Sequence, residues 1–261
     1  MQKNDILTGR VIDYTHDGLG VVKVDNFPIF IEDVIEGEFI EFKIIKLKKN
    51  LGYGKVLNII EVSDKRVEGV PKTSGANLVH MDYEEQLRFK TKKVQNIMNK
   101  TLGANSVEVL PTLGMKDGYH YRNKSVIPVQ KVDNEVRMGY YKPRSHDVIN
   151  IEKCFIQYDE HNKLMNDIRS LIIELDLSVY DEESHKGAIR HIMFRTNSRK
   201  SEIMVGIVAK ERFTNLDEFV EKITSLDDRI VSVMLNINEK KTNVIFGDKT
   251  EKLFGRDYIV D

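Results

Sequence analysis

The sequence predicts a small closed β-barrel of the OB type, followed by an α+β domain with a ferredoxin-like antiparallel sheet. Two observations lead to this prediction. Residues 1–62 contain five short segments with alternating apolar side chains and no helical period. A helical period begins after Asp82, and the elements from residue 135 onward follow the order β-α-β-β-α-β. The predicted division is a barrel over 1–62, a connecting segment over 63–120 and an α+β central domain over 121–261.

The predicted barrel strands are separated by turn-forming residues. A glycine-containing turn at residues 16–20 follows the first strand, and Asp25-Asn26 suits a tight hairpin between the second and third strands. Tyr53 lies between two glycines, and we expect it in an exposed turn at the start of the last strand. The predicted strands cover residues 7–14, 21–24, 29–31, 39–45 and a stretch that begins at residue 52.

Three helices are predicted after the barrel. The first covers residues 83–100, and Asp82 with Glu85 suits its N-cap and N3 positions. A longer helix in the α+β domain carries one apolar stripe, and a short helix begins at Asn215 with Glu218. The strands predicted in the α+β domain cover residues 121–129, 135–141, 191–195, 203–208, 230–237 and 243–246.

Composition indicates a folded cytoplasmic protein. The 261 residues are 41% hydrophobic and 31% charged, which excludes general disorder. No apolar run approaches the roughly 20 residues that span a bilayer, and the N-terminus lacks the apolar core of a signal peptide. Cys154 is the one cysteine, so an internal disulfide is excluded. We therefore expect no membrane partner.

Positive charge is concentrated in two stretches, although the formal net charge of the chain is only −1. Residues 41–58 carry five lysines against one glutamate, and residues 86–124 carry eight basic side chains against two acidic ones. Both stretches are candidate phosphate-binding surfaces. The alternative is that each is an ordinary solvated face.

Tyrosines alternate with basic residues in two further stretches, residues 119–124 and 139–146, which we expect at neighbouring ends of one hairpin. Single-stranded RNA binding needs this combination, because bases stack on rings while cations neutralise phosphates. The alternative is that these are core tyrosines with a solvated rim. The candidate RNA-binding residues are Lys46, Lys48, Lys49, Tyr53 and Lys55 on the barrel, and Arg122, Lys124, Tyr141, Arg144 and His146 on the α+β domain.

Four segments resemble motifs of the RNA (uracil-5-)-methyltransferases. Residues 121–124 read Y-R-N-K, and residues 139–147 followed by Cys154 match a G-[FY]-Y-x-x-x-S-H segment that ends in a cysteine. Residues 236–255 match N-x-N, T-N, G-D and L-[WF]-G in that order. The helix start matches H-x-x-Y-x-x-Q-L-x-x-K through His80, Tyr83, Gln86, Leu87 and Lys90. The resemblance covers nearly the whole chain.

The resemblance is to bacterial family members that modify 23S ribosomal RNA and begin with a TRAM domain, a small OB-like barrel. It implies that residues 1–62 form the TRAM domain. It also implies ribosomal RNA as the partner, with transfer RNA less expected because a TRAM domain is present. S-adenosylmethionine is implied as the methyl donor of the full-length family.

The chain departs from the family at the iron–sulfur site. Many members hold a cluster on three cysteines before the first helix and a fourth at the position of Cys154. Here Thr73 and Ala76 stand where cysteines are expected. Because one cysteine cannot supply four thiolates, we expect no iron–sulfur cluster and no metal site.

A second departure concerns catalysis. Family members continue into a methyltransferase domain with a glycine-rich loop for S-adenosylmethionine, a nucleophilic cysteine that attacks uracil C6, and a carboxylate base. The 261 residues contain no such loop, and Cys154 matches the cluster position instead of the nucleophile. We therefore expect no catalytic residue here, no methyl transfer by this chain alone, and a missing methyltransferase domain in cis. The alternative is a non-catalytic RNA-binding or ribosome-assembly protein.

Overall fold

The structure is a computed structural model that describes residues 1–69, 76–104, 106–142 and 145–261. These residues divide into two compact units. The first unit comprises the described residues up to 118, and the second begins at residue 119. No helix in the described ranges is both long enough and apolar enough to cross a membrane.

The first unit contains a closed five-stranded barrel, as the sequence predicts. The strands follow the order β1-β2-β3-β5-β4 around the barrel, and β4 pairs with β1 to close it. The β3–β5 pair is parallel and the other pairs are antiparallel. The strands are β1 Ile6–Tyr14, β2 Gly20–Val24, β3 Phe27–Ile31, β4 Phe39–Leu47 and β5 Gly52–Glu61.

Alternating apolar side chains fill the barrel interior. Ile29, Phe42 and Ile44 are among those fully removed from solvent, which is the pattern expected where one face of every strand points inward. Gly54 also points inward, where a Cβ atom would lie 3.0 Å from the Phe42 ring and 3.1 Å from Ile31. Glycine is needed there because the interior has no room for a side chain.

Tyr53 is not in an exposed turn, and that expectation was wrong. It is the second residue of β5 and is half-buried on the outer surface of the barrel. Gly52 already pairs with residues of β3 and β4, so the strand has begun before Tyr53. The flanking residues, Gly52 and Gly54, lie at inward-pointing positions of β5. The sequence pattern suggested a turn because glycine is also common in turns.

Helix α1, Tyr83–Leu102, packs beside the barrel within the first unit. The Asp82 side chain accepts a hydrogen bond of 2.7 Å from the Glu85 amide, which confirms the predicted N-cap. The Glu85 carboxylate faces the barrel, where it accepts a hydrogen bond of 2.8 Å from the Tyr14 hydroxyl. Phe89 packs edge-to-face on the Tyr14 ring, with 5.5 Å between the centroids. These contacts fix one face of α1 against the end of β1.

The second unit contains a sheet of seven strands in its described residues, with the order β12-β11-β10-β9-β6-β7-β8. Its elements are β6 Lys124–Val132, β7 Glu135–Tyr141, β8 Val148–Asn150, α2 Asp159–Glu174, β9 Ile189–Thr196, β10 Ile203–Ala209, α3 Leu216–Thr224, β11 Ile230–Ile237 and β12 Lys249–Gly255.

The predicted ferredoxin-like antiparallel arrangement was wrong for this sheet. The sheet is mixed, because α3 carries the chain back so that β11 runs parallel to β10. A tight turn with positive φ at Asp133 and Asn134 holds β7 against β6, and β6 occupies the place beside β9. The order of elements along the chain was predicted well, but it does not determine which strands are neighbours.

The strand predicted at 243–246 was also wrong, since the last strand is β12. The Asn238 side chain donates hydrogen bonds to the Val244 and Ile245 carbonyls, so this backbone is held by an amide instead of by a neighbouring strand. At the start of α3, Asn215 adopts a left-handed conformation and makes no side-chain cap bond. The predicted helix start is confirmed there, but the predicted cap is not.

Candidate nucleic-acid interface

An aromatic and basic surface lies on the outside of the barrel. Tyr53 on β5 is directly opposite Phe30 on β3 and Lys46 on β4. The Tyr53 and Phe30 rings meet edge-to-face with 5.9 Å between centroids, and the Lys48 ammonium lies 5.5 Å from the Tyr53 centroid. We call this surface the barrel face, and its members are Phe30, Lys43, Lys46, Lys48, Lys49, Tyr53 and Lys55.

The barrel face concentrates positive charge on adjacent strands. Lys43 and Lys55 are directly opposite on adjacent strands, an arrangement of like charges that is unfavourable by itself. Lys46, Lys49 and Lys55 are exposed and form no ion pair within the described ranges. Phosphates would relieve the repulsion, and the Tyr53 ring offers a stacking surface beside them.

A groove with a volume of about 550 Å³ runs between the barrel face and α1, inside the first unit. Phe30 and Tyr53 line one side, and side chains of α1 line the other. We call it the barrel–helix groove. Its lining residues are Asp13, Tyr14, Thr15, His16, Asp17, Leu19, Phe30, Tyr53, Phe89, Lys92, Lys93, Asn96, Ile97 and Lys100.

Lys92, which lines this groove, forms ion pairs with two carboxylates. Its ammonium lies 2.9 Å from Asp13 and 3.1 Å from Glu36. Partial burial acts to lower the pKa of Lys92, but hydrogen bonds to the two carboxylates raise it above its ordinary value. Lys93 and Lys100 form no ion pair in the part of the chain that is described. Those two lysines therefore remain available to a ligand.

In the second unit, Tyr141 and His146 are brought together. Their rings lie 6.1 Å apart, and His146 Nδ1 is 2.9 Å from a Glu182 carboxylate oxygen. Burial, with the Glu182 charge, raises the pKa of Tyr141. Both residues line a groove of about 400 Å³. Arg144, predicted beside them, lies outside the described residues.

This second groove is acidic along its described lining. Lys131 and Arg190 are its basic residues besides the histidines. Its carboxylates are Asp133, Asp147, Asp181, Glu182 and Glu183. Like charge disfavours phosphate there, so the electrostatics support RNA contact at the barrel face more strongly than at this groove.

Arg122 and Lys124 do not join Tyr141 and His146. The Arg122 amide donates to the Ile156 carbonyl at 2.7 Å, and its guanidinium faces the Tyr140 hydroxyl. The Lys124 ammonium lies 5.7 Å from the Phe246 centroid. The two stretches therefore meet at Arg122 and Tyr140. Lys124 instead lies opposite a residue of β9, because β6 pairs with β9 through Pro128 and with β7 from Val129 onward.

His161 and two hydroxyls form a buried polar cluster that sequence patterns did not suggest. His161 lies 3.1 Å from Ser125 Oγ and 2.8 Å from Thr196 Oγ1. A histidine beside a hydroxyl group could activate that hydroxyl as a nucleophile in an open site. Here the side chains of His161, Ser125 and Thr196 are all buried. Burial lowers the pKa of His161 to about 4. This arrangement is suited to holding α2 on the sheet and gives no access to a substrate.

The donor set around Cys154 does not fit an iron–sulfur cluster. Cys154 is 1% exposed, and the Tyr140 hydroxyl donates to its sulfur at 3.5 Å. Ala76 carries no ligand atom, and Thr73 lies outside the described residues. No group of three or more His, Cys, Asp or Glu side chains in the described ranges could hold a metal ion. The Cys154 thiol is therefore packed among protein atoms.

The sequence-based set of RNA-binding residues omits the α1 side of the barrel–helix groove. Phe30 was noted only as a strand residue, and Lys93 and Lys100 only as part of a basic stretch. Lys93 and Lys100 are seven residues apart, which places both on one face of the predicted helix. This spacing could have indicated them as candidate RNA-binding residues. Sequence alone did not indicate which structure that face borders.

Several curated proteins are similar in sequence to this chain over almost its whole length. The chain is 39% identical over 266 aligned residues to an uncharacterized RNA methyltransferase of Halalkalibacterium halodurans. It is 42% identical over 265 residues to one of Staphylococcus aureus strain COL, and 40% identical over 266 residues to one of Enterococcus faecalis. The homologues are RNA methyltransferases. The alignments cover 99–100% of this chain but 58% of each relative, and no family model matches the chain.

The fold resembles that of an RNA methyltransferase of known structure. The Pyrococcus abyssi tRNA (uracil-54, C5)-methyltransferase, solved in complex with S-adenosyl-L-homocysteine, superposes with a TM-score of 0.70 and 22% sequence identity. The match covers 97% of this chain and 56% of that chain. At 22% identity this superposition shows a shared fold.

Proposed function

We propose that this chain is the RNA-binding part of an S-adenosylmethionine-dependent 23S rRNA (uracil-5-)-methyltransferase, and that it positions structured RNA for 5-methyluridine formation. One observation carries the proposal: Tyr53 is flanked by Lys46 and Lys48 on the open surface of the barrel. A stacking ring beside cations is the arrangement that binds single-stranded nucleic acid. The naming of the relatives as RNA methyltransferases supports the same conclusion.

The barrel is proposed to be an OB-like TRAM domain over residues 1–62. Its strand order and its parallel β3–β5 pair support this assignment, because OB folds are five-stranded barrels that bind nucleic acid on one face. Residues 63–120 would then be a connecting segment with α1, and residues 121–261 a central RNA-binding domain. The ribosomal target, in preference to transfer RNA, rests on the TRAM resemblance.

Methyl transfer itself is proposed to use residues outside these 261. S-adenosylmethionine supplies the methyl group in this chemistry, and a cysteine nucleophile with a base acts on the uracil ring. The part assigned to this chain is to bind and orient RNA through Arg122, Lys124, Tyr141, Arg144 and His146 as well as the barrel face. The alignments leave about two fifths of each relative unmatched, which is compatible with a catalytic domain elsewhere in such proteins.

The stacking role is tested by Tyr53→Ala. We expect RNA affinity to fall by about 1–3 kcal/mol, because one base loses its ring. Binding of a labelled 23S rRNA fragment is measured by fluorescence anisotropy, with a transfer RNA transcript compared in parallel. Tyr258→Ala, which removes a tyrosine that is 56% exposed elsewhere, is the matched control. Equal affinity of the Tyr53→Ala variant and the parent would contradict the stacking role.

The phosphate role is tested by the combined Lys46→Ala, Lys48→Ala and Lys49→Ala variant. The slope of log affinity against log salt should become shallower by about 0.7–0.9 for each phosphate that the variant no longer neutralises. The control replaces three other exposed lysines, Lys23, Lys163 and Lys252, and removes the same charge. If both triple variants change the slope equally, the basic surface acts only through net charge. A parent chain that binds no RNA overturns the proposed function.

A further inference from the structure

We infer that the barrel–helix groove holds one unstacked nucleotide of the bound RNA, with α1 forming the second wall of the site. This inference rests on the proposed function and extends it, since none of the α1 residues was assigned to RNA. The base would lie between Tyr53 and the α1 side chains, and the flanking phosphates would meet Lys93 and Lys100.

The size and lining of the groove suit a nucleotide. Its volume of about 550 Å³ falls within the roughly 300–1,000 Å³ of small-molecule sites. Phe30 and Tyr53 form an edge-to-face pair in the barrel part of the lining. Ile97, which is 49% exposed, belongs to the α1 part of the lining. A planar base can stack on a ring and contact an aliphatic side chain on its other face.

The charges at the groove are divided between internal pairs and free cations. Asp13 is neutralised by Lys92 at 2.9 Å. Asp17 lies 3.2 Å from His16, which neutralises it only when protonated, so Asp17 counts as one negative charge of the lining. Partial burial acts to raise the pKa of Asp13, but the hydrogen bond from Lys92 and nearby backbone and positive charges lower it, so this pair stays ionised. Lys93 and Lys100 form no ion pair within the described residues. Lys93 and Lys100 against Asp17 leave a net positive charge for a ligand.

The excess positive charge selects RNA over other occupants. Lys93 and Lys100 lie two helical turns apart on the same face of α1, so they can meet successive phosphates of a chain. Asn96 lines the groove between them, and its amide can both donate to and accept from the edge of a base. An apolar peptide would leave the lysines without partners.

The absence of tryptophan from the sequence allows a direct test. Ile97→Trp places a single tryptophan in the groove, and Leu102→Trp places one about 140° away around the same helix, at a side chain that is 56% exposed and does not line the groove. Titration uses unlabelled single-stranded oligouridine of about ten nucleotides and the 23S rRNA fragment. We expect RNA to quench tryptophan fluorescence in Ile97→Trp and to leave that of Leu102→Trp unchanged.

The outcomes separate this inference from the proposed function. Loss of binding in Ile97→Trp alone, with the thermal unfolding temperature of the parent, also places RNA in the groove. RNA that binds both variants with parental affinity, and quenches neither or both alike, overturns the groove assignment and leaves RNA binding intact. If the parent binds no RNA, the proposed function itself fails.

A second pair of variants tests the α1 lysines if Ile97→Trp does not fold. The combined Lys93→Ala and Lys100→Ala variant should bind oligouridine about three- to tenfold more weakly, with a shallower salt slope. Lys116→Ala, an exposed lysine of the same unit outside the groove, is the control and should change affinity by less than about twofold. Parental affinity and slope in the double variant exclude α1 as a wall of the site.

Discussion

At the scale of single residues, Glu38 is the side chain whose loss should matter most to the barrel. It is fully buried, and it accepts hydrogen bonds of 2.7 Å from Arg66 Nε and 2.8 Å from the Ile35 amide. Glu38→Ala should lower the free energy of unfolding by about 3–5 kcal/mol, because Arg66 is left without its buried partner. Urea unfolding followed by circular dichroism measures this.

The control for Glu38 is Glu61→Ala. Glu61 pairs with Arg10 at 2.6 Å, but both side chains are more than half exposed, so its loss should cost about 1 kcal/mol or less. If the two variants are equally stable, the buried pair does not hold the barrel together. Neither carboxylate lies on the barrel face.

Two buried histidines predict a pH dependence of stability. Burial lowers the pKa of His161 and of His191 to about 4. In the unfolded chain both bind a proton near pH 6.5, so the unfolded state takes up protons as the pH falls from about 6.5 to 4 while the folded state does not. Each histidine therefore removes up to about 3 kcal/mol of stability across this window.

His191→Leu should make that loss smaller. The stability difference between pH 7.5 and pH 4.5 should shrink by about 2–3 kcal/mol, because one of the two histidines no longer charges on unfolding. His191 makes no side-chain hydrogen bond through Nδ1 within the described residues, so the substitution breaks none at that atom. Identical pH dependence in variant and parent would show that His191 is accessible to protons in the folded state.

At the scale of elements, the local sequence specified turns and helix starts well. Asp25-Asn26 and Asp133-Asn134 both have the positive φ values of tight hairpin turns, which asparagine and aspartate tolerate at low cost. Asp82 caps α1 as predicted. The misplaced strand at 243–246 had no such signal, because the side chain of one asparagine, Asn238, holds that backbone.

The two predicted helix caps make a matched pair of variants. Asp82→Ala should lower the free energy of unfolding by about 0.5–2 kcal/mol, because the Glu85 amide loses its acceptor. Asn215→Gly should be neutral or stabilising, because Asn215 makes no cap bond and its φ of 64° suits glycine. Thermal unfolding of both variants checks this. A larger loss in Asn215→Gly than in Asp82→Ala would reverse the assignment of caps.

At the scale of the whole molecule, the sequence indicated two folded parts and the class of each, but not the sheet order. Strand neighbours in the second unit depend on contacts between residues far apart in the chain, such as β6 with β9. The same limit applies to function. Lys46 and Tyr53 were predicted individually, whereas the groove beside them depends on where α1 packs.

The proposed function predicts that these 261 residues by themselves do not methylate RNA. Incubation with labelled S-adenosylmethionine and total ribosomal RNA should leave the RNA unlabelled, because the proposed function assigns methyl transfer to residues outside these 261. The Pyrococcus abyssi tRNA (uracil-54, C5)-methyltransferase with transfer RNA is the positive control for the assay. Label recovered as 5-methyluridine with the 261-residue chain would show that catalytic residues lie within it.

The seven-stranded sheet of the second unit has a consequence for behaviour at high concentration. Its outermost strands in the described ranges are β8 and β12, and an exposed edge strand can recruit a strand from another molecule. β8 is only three residues long, and β12 presents Lys249, Glu251 and Lys252 within seven residues. Short edges and edge lysines oppose such recruitment. Concentrated solutions should therefore resist amyloid-like aggregation, and valine in place of Lys249 and Lys252 should promote it.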